Sequence, residues 1–213
     1  MHDIKERPSL LGLFFLYFVI MHVDFKAILD KIINELVPLT QNSVQEGNKI
    51  FGAIILSKKD YSTIVVDTNN ETSNPILHGE ISTINNYFKN VNHTKPNECL
   101  FISSHEPCSM CLSAITWSGF DNFYYLFPFQ DTENKFNIPH DLNILKEVFN
   151  IKDGKYNRTN YYWKSFSILN EIQNTSPSLK NELINKYKEI SEKYENLSQI
   201  YQKSKKNNKI PLN

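Results

Sequence analysis

The chain has 213 residues, of which 40% are hydrophobic and 22% charged, ordinary values for a soluble globular protein. This length suits one domain with appendages and a sizeable core. Its formal net charge is +0, so no overall basic field indicates a nucleic-acid partner. The 3 cysteines argue against a disulfide framework and favour a reducing compartment, which we expect to be the cytoplasm.

The N-terminal segment contains a short apolar run, LLGLFFLYFVIM, from Leu10 to Met21. A membrane-spanning helix needs about 20 apolar residues, so no membrane partner is expected. The charges before the run and the residues after it do not fit a signal peptide. Two interpretations stay open. In the first, residues 1–21 are an apolar extension that packs against the protein or associates with a membrane. In the second, Met21 is the true start of the protein and the residues before it come from a mis-called start codon.

The next part of the chain alternates helices with strands. From Asp24 the apolar residues recur at helical spacing, and Pro38 is expected to end this helix. The predicted elements that follow are a hairpin (50–56 and 63–66), a helix from His78, a strand (100–103), a helix ending before Gly119 and a strand (122–127). This alternation predicts an α/β domain with at least one parallel strand pair.

Beyond Pro128 the chain is more polar and rich in asparagine. The pattern predicts helices at 142–149 and 165–172, a long amphipathic helix at about 178–201, and a frayed basic tail at 203–209. The long helix can pack on the domain or on a second subunit. We therefore divide the chain into the extension (1–21), the catalytic domain (22–175) and the C-terminal helix with its basic tail (176–213).

Two local motifs contain residues suited to metal chemistry. His78 and Glu80 form an H-x-E triplet, which is weak by itself because an ordinary helix N-terminus can carry the same residues. Cys108 and Cys111 follow Pro107 at a separation of one helical turn, so their side chains point the same way. This spacing suits one metal ion, and a redox-active cysteine pair is the competing interpretation.

Taken together, the two motifs predict a catalytic zinc site. Both lie at predicted helix N-termini with one strand between them, which brings a histidine and two cysteines to one edge of the sheet. His78, Cys108 and Cys111 would be three ligands for a tetrahedral zinc whose fourth position is open to water, as in catalytic rather than structural sites. Glu80 lies close enough to exchange a proton with that water, so we assign it as the catalytic acid–base.

The H-x-E and P-C-x-x-C motifs are the signature of zinc deaminases, and residues 50–127 resemble the cytidine/deoxycytidylate deaminase superfamily. LHGEIST (77–83) resembles the fungal cytosine deaminases, whereas SSHEPCSMCLSAI (103–115) resembles the guanine and tRNA adenosine deaminases. The resemblance implies a three-layer α/β/α fold with a central mixed sheet, to which the C-terminal helix is added. It also implies zinc-dependent release of ammonia from a nucleobase or nucleoside, and a homodimer.

The resemblance further implies an asparagine before the ligand histidine that contacts the base or ribose. Asn69 is the nearest match, with Asn70 and Asn74 as alternatives. Phe127 is predicted to provide an aromatic wall for the base, and Asp131 to contact a polar edge of it. The competing interpretation is that the asparagines only form turns and that the aromatic residue belongs to the core.

Three functions remain possible at this point. A small-molecule deaminase acting on a guanine- or cytosine-type free base, or on a nucleoside, ranks first. A tRNA adenosine deaminase ranks second; the Lys-rich tail favours it, and the zero net charge and the acidic residues along the same helix oppose it. A degenerate relative that uses zinc only for structure ranks third, because such a site has no need of Glu80.

Overall fold

The computed structural model describes residues 23–213. The strands are β1 (Gly52–Ser57), β2 (Thr63–Thr68), β3 (Cys99–His105), β4 (Asn122–Phe127) and β5 (Lys164–Ser167). The α-helices are α1 (Phe25–Lys31), α2 (Val37–Gln45), α3 (Gly79–Lys89), α4 (Ser109–Trp117), α5 (Phe129–Asn134), α6 (His140–Phe149), α7 (Ile168–Gln173) and α8 (Pro177–Ser204). A π-helical stretch (Ile32–Leu36) joins α1 to α2, and short 3-10 helices span Pro96–Glu98, Lys152–Gly154 and Lys205–Asn207.

The strands form one mixed sheet in the order β2-β1-β3-β4-β5. β1 runs antiparallel to both β2 and β3, and β3, β4 and β5 run parallel to one another. The predicted hairpin and the predicted parallel pair are both confirmed. In the β3-α4-β4 unit, a helix connects two adjacent parallel strands, as such pairs require.

Helices cover both faces of the sheet, because successive strand residues point to opposite sides. On one face Ile55 and Phe101 pack against α3 and α4. On the other face Ile54 and Leu126 pack against α1 and α8. This arrangement confirms the predicted three-layer α/β/α class with a central mixed sheet.

The added helix α8 packs on the domain of its own chain. Its apolar stripe is buried in the same core as the strands and consists of Leu183, Tyr187, Ile190, Tyr194, Leu197 and Tyr201. The segment that follows is folded rather than frayed: the Asn208 side chain donates to the carbonyl oxygen of Gly47 at 2.8 Å, and the Tyr201 hydroxyl donates to Asn213 at 2.8 Å. The division of the chain at residue 175 stays a prediction.

Two element predictions are wrong. Pro38 does not end the first helix, which continues through the π-helical stretch into α2; Pro38 lies in the first turn of α2, where proline is tolerated. Residues 165–172 are not one helix, because Lys164–Ser167 pair with β4 before α7 begins. Phe166 stacks on Tyr124 with ring centroids 4.8 Å apart, so cross-strand packing decides the local structure here.

The apolar extension predicted for residues 1–21 lies outside the described residues. Within residues 23–213, no helix is both long and apolar enough to cross a bilayer.

Candidate active site

His78 and Cys108 each lie at the start of a helix. His78 is the extended residue before α3, and Cys108 is the extended residue before α4. Gly79 lets α3 approach the sheet closely, since a Cβ atom there would come within 2.4 Å of the Gly52 Cα atom on β1. The two helix N-termini therefore meet at one edge of the sheet, where the helix dipoles favour thiolates.

The structure brings the three predicted metal ligands together. His78 Nδ1 lies 3.5 Å from Cys108 Sγ and 3.7 Å from Cys111 Sγ. The three ligand atoms all lie within 4.8 Å of one another, and both cysteines are buried and free of disulfides. One imidazole and two thiolates are the donors that zinc selects, and three protein ligands leave a coordination position open. The donor set therefore fits a catalytic zinc ion.

Glu80 lies against this cluster and is only 4% exposed. The Ser103 hydroxyl donates to Oε1 of Glu80 at 2.9 Å, and the Cys111 thiol donates to Oε2 at 3.3 Å. Burial raises the pKa of Glu80, the nearby charge of Cys108 raises it further, and the charge of His78 opposes the rise. A carboxyl group with a raised pKa next to a metal site is suited to proton transfer near neutral pH.

His78, Cys108 and Cys111 shift one another's pKa values. Burial lowers the pKa of His78, but its hydrogen bond to Cys108 and the charges of Cys108, Glu71 and Glu80 outweigh burial and raise this pKa to about 9. The hydrogen bond from Cys111 lowers the pKa of Cys108 well below its ordinary value. Because zinc binds neutral imidazole and thiolate, metal binding at neutral pH would release protons.

A cavity of about 170 Å³ adjoins His78. Its wall combines charged side chains with apolar ones, and its members include Lys49, Glu71, His140, Asp141 and the segment Ile210–Leu212. Asp141 lies in the first turn of α6, and burial raises its pKa well above the ordinary value, with the charge of Cys108 raising it further. The segment 210–212 forms part of the cavity wall, together with residues of α6.

The three predicted substrate contacts do not lie on the cavity wall. Asn69 is 1% exposed; it accepts a hydrogen bond from the Gly79 backbone at 2.5 Å and donates one to Glu71 at 2.6 Å. Phe127 is fully buried in the core on the opposite face, with its ring 4.9 Å from that of Phe136. Asp131 lies on α5, away from the residues that line the cavity.

The alternatives Asn70 and Asn74 form the turn before α3. The Asn74 backbone donates to the Asn70 carbonyl oxygen at 3.2 Å, and the Asn74 side chain accepts from the Ile76 backbone at 3.2 Å. Turn formation therefore accounts for both residues.

Sequence reasoning missed several residues of the wall. Glu71 lies in the polar segment NNETSNP (69–75), whose composition indicates only a turn. Lys49 lies just before β1 and belongs to no motif. Asp141 and the segment 210–212 reach the cavity only through the packing of α6 and α8. For Asp141 alone a signal existed, because an acidic residue at a predicted helix start after a proline stands out.

Comparison with known proteins identifies the region that contains this site. Residues 27–127 match the family model of the cytidine and deoxycytidylate deaminase zinc-binding region. This match confirms the predicted resemblance to the family, and together with the cluster of His78, Cys108 and Cys111 it confirms the predicted zinc cofactor.

A curated relative aligns with part of the chain. The guanine deaminase of Bacillus subtilis (strain 168) is 37% identical over 70 residues, which are 32% of this chain and 44% of that protein. The match therefore spans less than half of the curated relative.

Solved structures of similar proteins include that of guanine deaminase from Bacillus subtilis, with 24% identity, coverage of 65% of this chain and 87% of that one, and a TM-score of 0.49. A structure from a study of tRNA:A34 deaminases has 16% identity, coverage of 65% and 97%, and a TM-score of 0.46. Guanine deaminase from Nitrosomonas europaea has 15% identity, coverage of 74% and 81%, and a TM-score of 0.44. These values carry no information about the substrate.

Proposed function

We propose that the chain is a zinc-dependent hydrolytic deaminase that removes an exocyclic amino group from a small nucleobase, with a guanine- or cytosine-type free base favoured. One observation carries this proposal: buried Glu80 lies beside the cluster of His78, Cys108 and Cys111. A purely structural zinc site has no use for a buried carboxylate with a raised pKa.

The chemistry divides between the metal and the protein. Zinc held by His78, Cys108 and Cys111 would act as a Lewis acid and lower the pKa of a water molecule. Glu80 accepts a proton from a water molecule at Oε2 and passes it to a ring nitrogen of the base, while the water oxygen bonds to the amino-bearing carbon. Glu80 then carries the second proton of that water to the amino group, so that the C–N bond breaks, ammonia leaves and a carbonyl group remains. Ser103 fixes the other carboxylate oxygen, so that the proton-carrying oxygen faces the metal ligands.

The size of the cavity favours a free base over a nucleoside or a polynucleotide. Its volume of about 170 Å³ is below the roughly 300–1,000 Å³ of sites for drug-sized ligands. The segment 210–212 also forms part of its wall, which leaves little room for a ribose or a phosphate chain. Asp141 on this wall is a polar group available to a base, whereas Lys49 already donates to Glu71 at 2.7 Å.

The test is release of ammonia by the zinc-loaded protein from guanine, cytosine, adenine, their nucleosides and a tRNA. We expect turnover of one free base, lost in Glu80→Gln and kept in Glu147→Gln, a matched change at an exposed glutamate. Inosine formed in tRNA without turnover of any free base would favour tRNA adenosine deamination instead. Zinc binding without any turnover would favour the degenerate interaction protein.

We also propose a homodimer, on the strength of the family resemblance. Sedimentation of the zinc-loaded protein tests it, and a mass of one chain across the micromolar range would contradict it.

A further inference from the structure

Glu71 occupies an unusual position behind the metal ligand His78. Its side chain is 2% exposed, and its Oε1 atom lies 3.6 Å from His78 Nε2. This is the ring nitrogen opposite Nδ1, which faces the two cysteines. We propose that Glu71 is a positioning residue that orients the His78 ring for metal binding, an inference that rests on the zinc site of the proposed function.

A histidine that binds zinc through Nδ1 carries its hydrogen on Nε2, and that N–H group almost always donates to a carboxylate, a carbonyl or water. Glu71 places a carboxylate at this side of the ring. The separation of 3.6 Å exceeds a hydrogen-bond length, so the contact is electrostatic. A small rotation of the imidazole ring would close it.

Two further side chains hold the Glu71 carboxylate in place. Lys49 Nζ donates to Oε1 at 2.7 Å and is itself buried, with a side chain 6% exposed. Asn69 Nδ2 donates to Oε2 at 2.6 Å. Both oxygens are therefore bonded, and Glu71 has little freedom to turn away from the histidine.

The network leads directly into the H-x-E motif. The Asn69 side chain that donates to Glu71 also accepts the backbone N–H of Gly79, the residue between His78 and Glu80. A salt bridge that served only stability would need Lys49 alone, and apolar residues of similar volume often replace a buried ion pair without loss. The convergence of an ammonium, an amide and an imidazole on one carboxylate points to orientation of the ring.

The experiment distinguishes the loss of the Glu71 carboxylate as the acceptor for His78 from the loss of the Lys49–Glu71 ion pair. Lys49→Met/Glu71→Leu removes the acceptor and leaves no unpaired buried charge, whereas Lys49→Met alone keeps the acceptor. Zinc affinity is measured by competition with a chelator, and the tautomer of His78 in the zinc-loaded protein by ¹⁵N NMR. We expect the double variant to bind zinc about 10- to 100-fold more weakly than the unaltered protein. Lys49→Met, which loses one of the two bonds that hold the carboxylate but keeps the acceptor, should lie between the two.

Two further variants keep the test interpretable. Glu71→Gln preserves the side-chain shape, serves if the double variant fails to fold, and should also bind zinc more weakly than Lys49→Met. Lys58→Met/Asp121→Leu removes a salt bridge distant from the site and should leave zinc affinity unchanged.

Equal zinc affinity in Lys49→Met and in the folded variants of Glu71, with an unchanged His78 tautomer, would overturn the inference and leave the proposed function standing. Failure of the unaltered protein to bind zinc would overturn the proposed function and the inference with it.

Discussion

Ser103 on β3 donates its hydroxyl hydrogen to Oε1 of Glu80 in the first turn of α3, at a distance of 2.9 Å. Both residues are buried, so this bond ties the proposed catalytic carboxylate to the sheet. The second carboxylate oxygen faces the Cys111 thiol. One oxygen is thus anchored by the fold, and the other is directed at the metal ligands.

Replacement of Glu80 by glutamine should abolish turnover without loss of zinc. The amide keeps the shape of the side chain but cannot accept the proton, and general acid–base groups contribute about 10²- to 10⁴-fold to rate. We expect kcat to fall by at least about 10²-fold, measured as ammonia release, with zinc content unchanged by metal analysis. Retention of most of the activity would show that another group transfers the proton.

Loss of the Ser103 hydroxyl should shift the pH profile. Burial is the largest influence on the pKa of Glu80 and raises it, whereas the Ser103 hydrogen bond stabilises the carboxylate and lowers the pKa. In Ser103→Ala the pKa of Glu80 therefore rises, and the acidic limb of kcat/KM against pH should move to higher pH. Ser103→Thr, which retains a hydroxyl, should restore the original limb. An unmoved limb in the alanine variant would argue that Glu80 does not control it.

His105 should make the metal-free protein sensitive to mild acid. Its side chain is fully buried beside the rings of Phe51, Phe127 and Phe136, and burial lowers its pKa well below the ordinary value. The unfolded chain thus binds a proton below about pH 6.5 that the folded chain does not, so stability falls as the pH falls.

The expected loss from this one residue is about 1.4 kcal/mol per pH unit below about pH 6.5. Urea unfolding with a chelator present should show it as a difference between the unaltered protein and His105→Phe, whose ring fits the aromatic surroundings. Identical pH dependence of the two proteins would mean that His105 titrates normally in the folded state.

The segment 210–212 should limit the size of the substrate. Leu212 lines the cavity yet is 52% exposed, so Leu212→Ala removes part of the wall and should change the free energy of unfolding by less than about 0.5 kcal/mol. We expect a higher KM for the free base and measurable turnover of its nucleoside. Ile200→Ala, at an exposed position of α8, is the matched control. Unchanged KM values would remove this segment from the site.

The cluster of His78, Cys108 and Cys111, with Glu80 beside it, could be predicted because its motifs are local in the sequence. Cys108 and Cys111 are one helical turn apart, and Glu80 follows His78 by two residues. Residue types at such spacings carry the information without any knowledge of the fold.

The rest of the site arises from tertiary packing. Lys49 and Glu71 form a salt bridge, but neither residue belongs to a motif. The segment 210–212 reaches the cavity only because α8 packs on the sheet and carries the chain back to the site. The aromatic character of Phe127 and its place after the cysteine motif predict a wall for the base. Its position on β4, however, directs the side chain into the core on the sheet face opposite α3 and α4. Asn69 lies next to the metal-ligand cluster, and its side chain bonds to Glu71 and to the Gly79 backbone.

The contact between Gly79 and Gly52 has a consequence for exchanging parts between related proteins. A Cβ atom on Gly79 would meet the backbone of Gly52, so the clearance between α3 and β1 excludes even a methyl group at Gly79. A chimera that imported α3 with a larger residue between histidine and glutamate would push that helix outward. His78 and Glu80 would then move away from the cysteines on α4, so β1 and α3 must be transplanted as one unit.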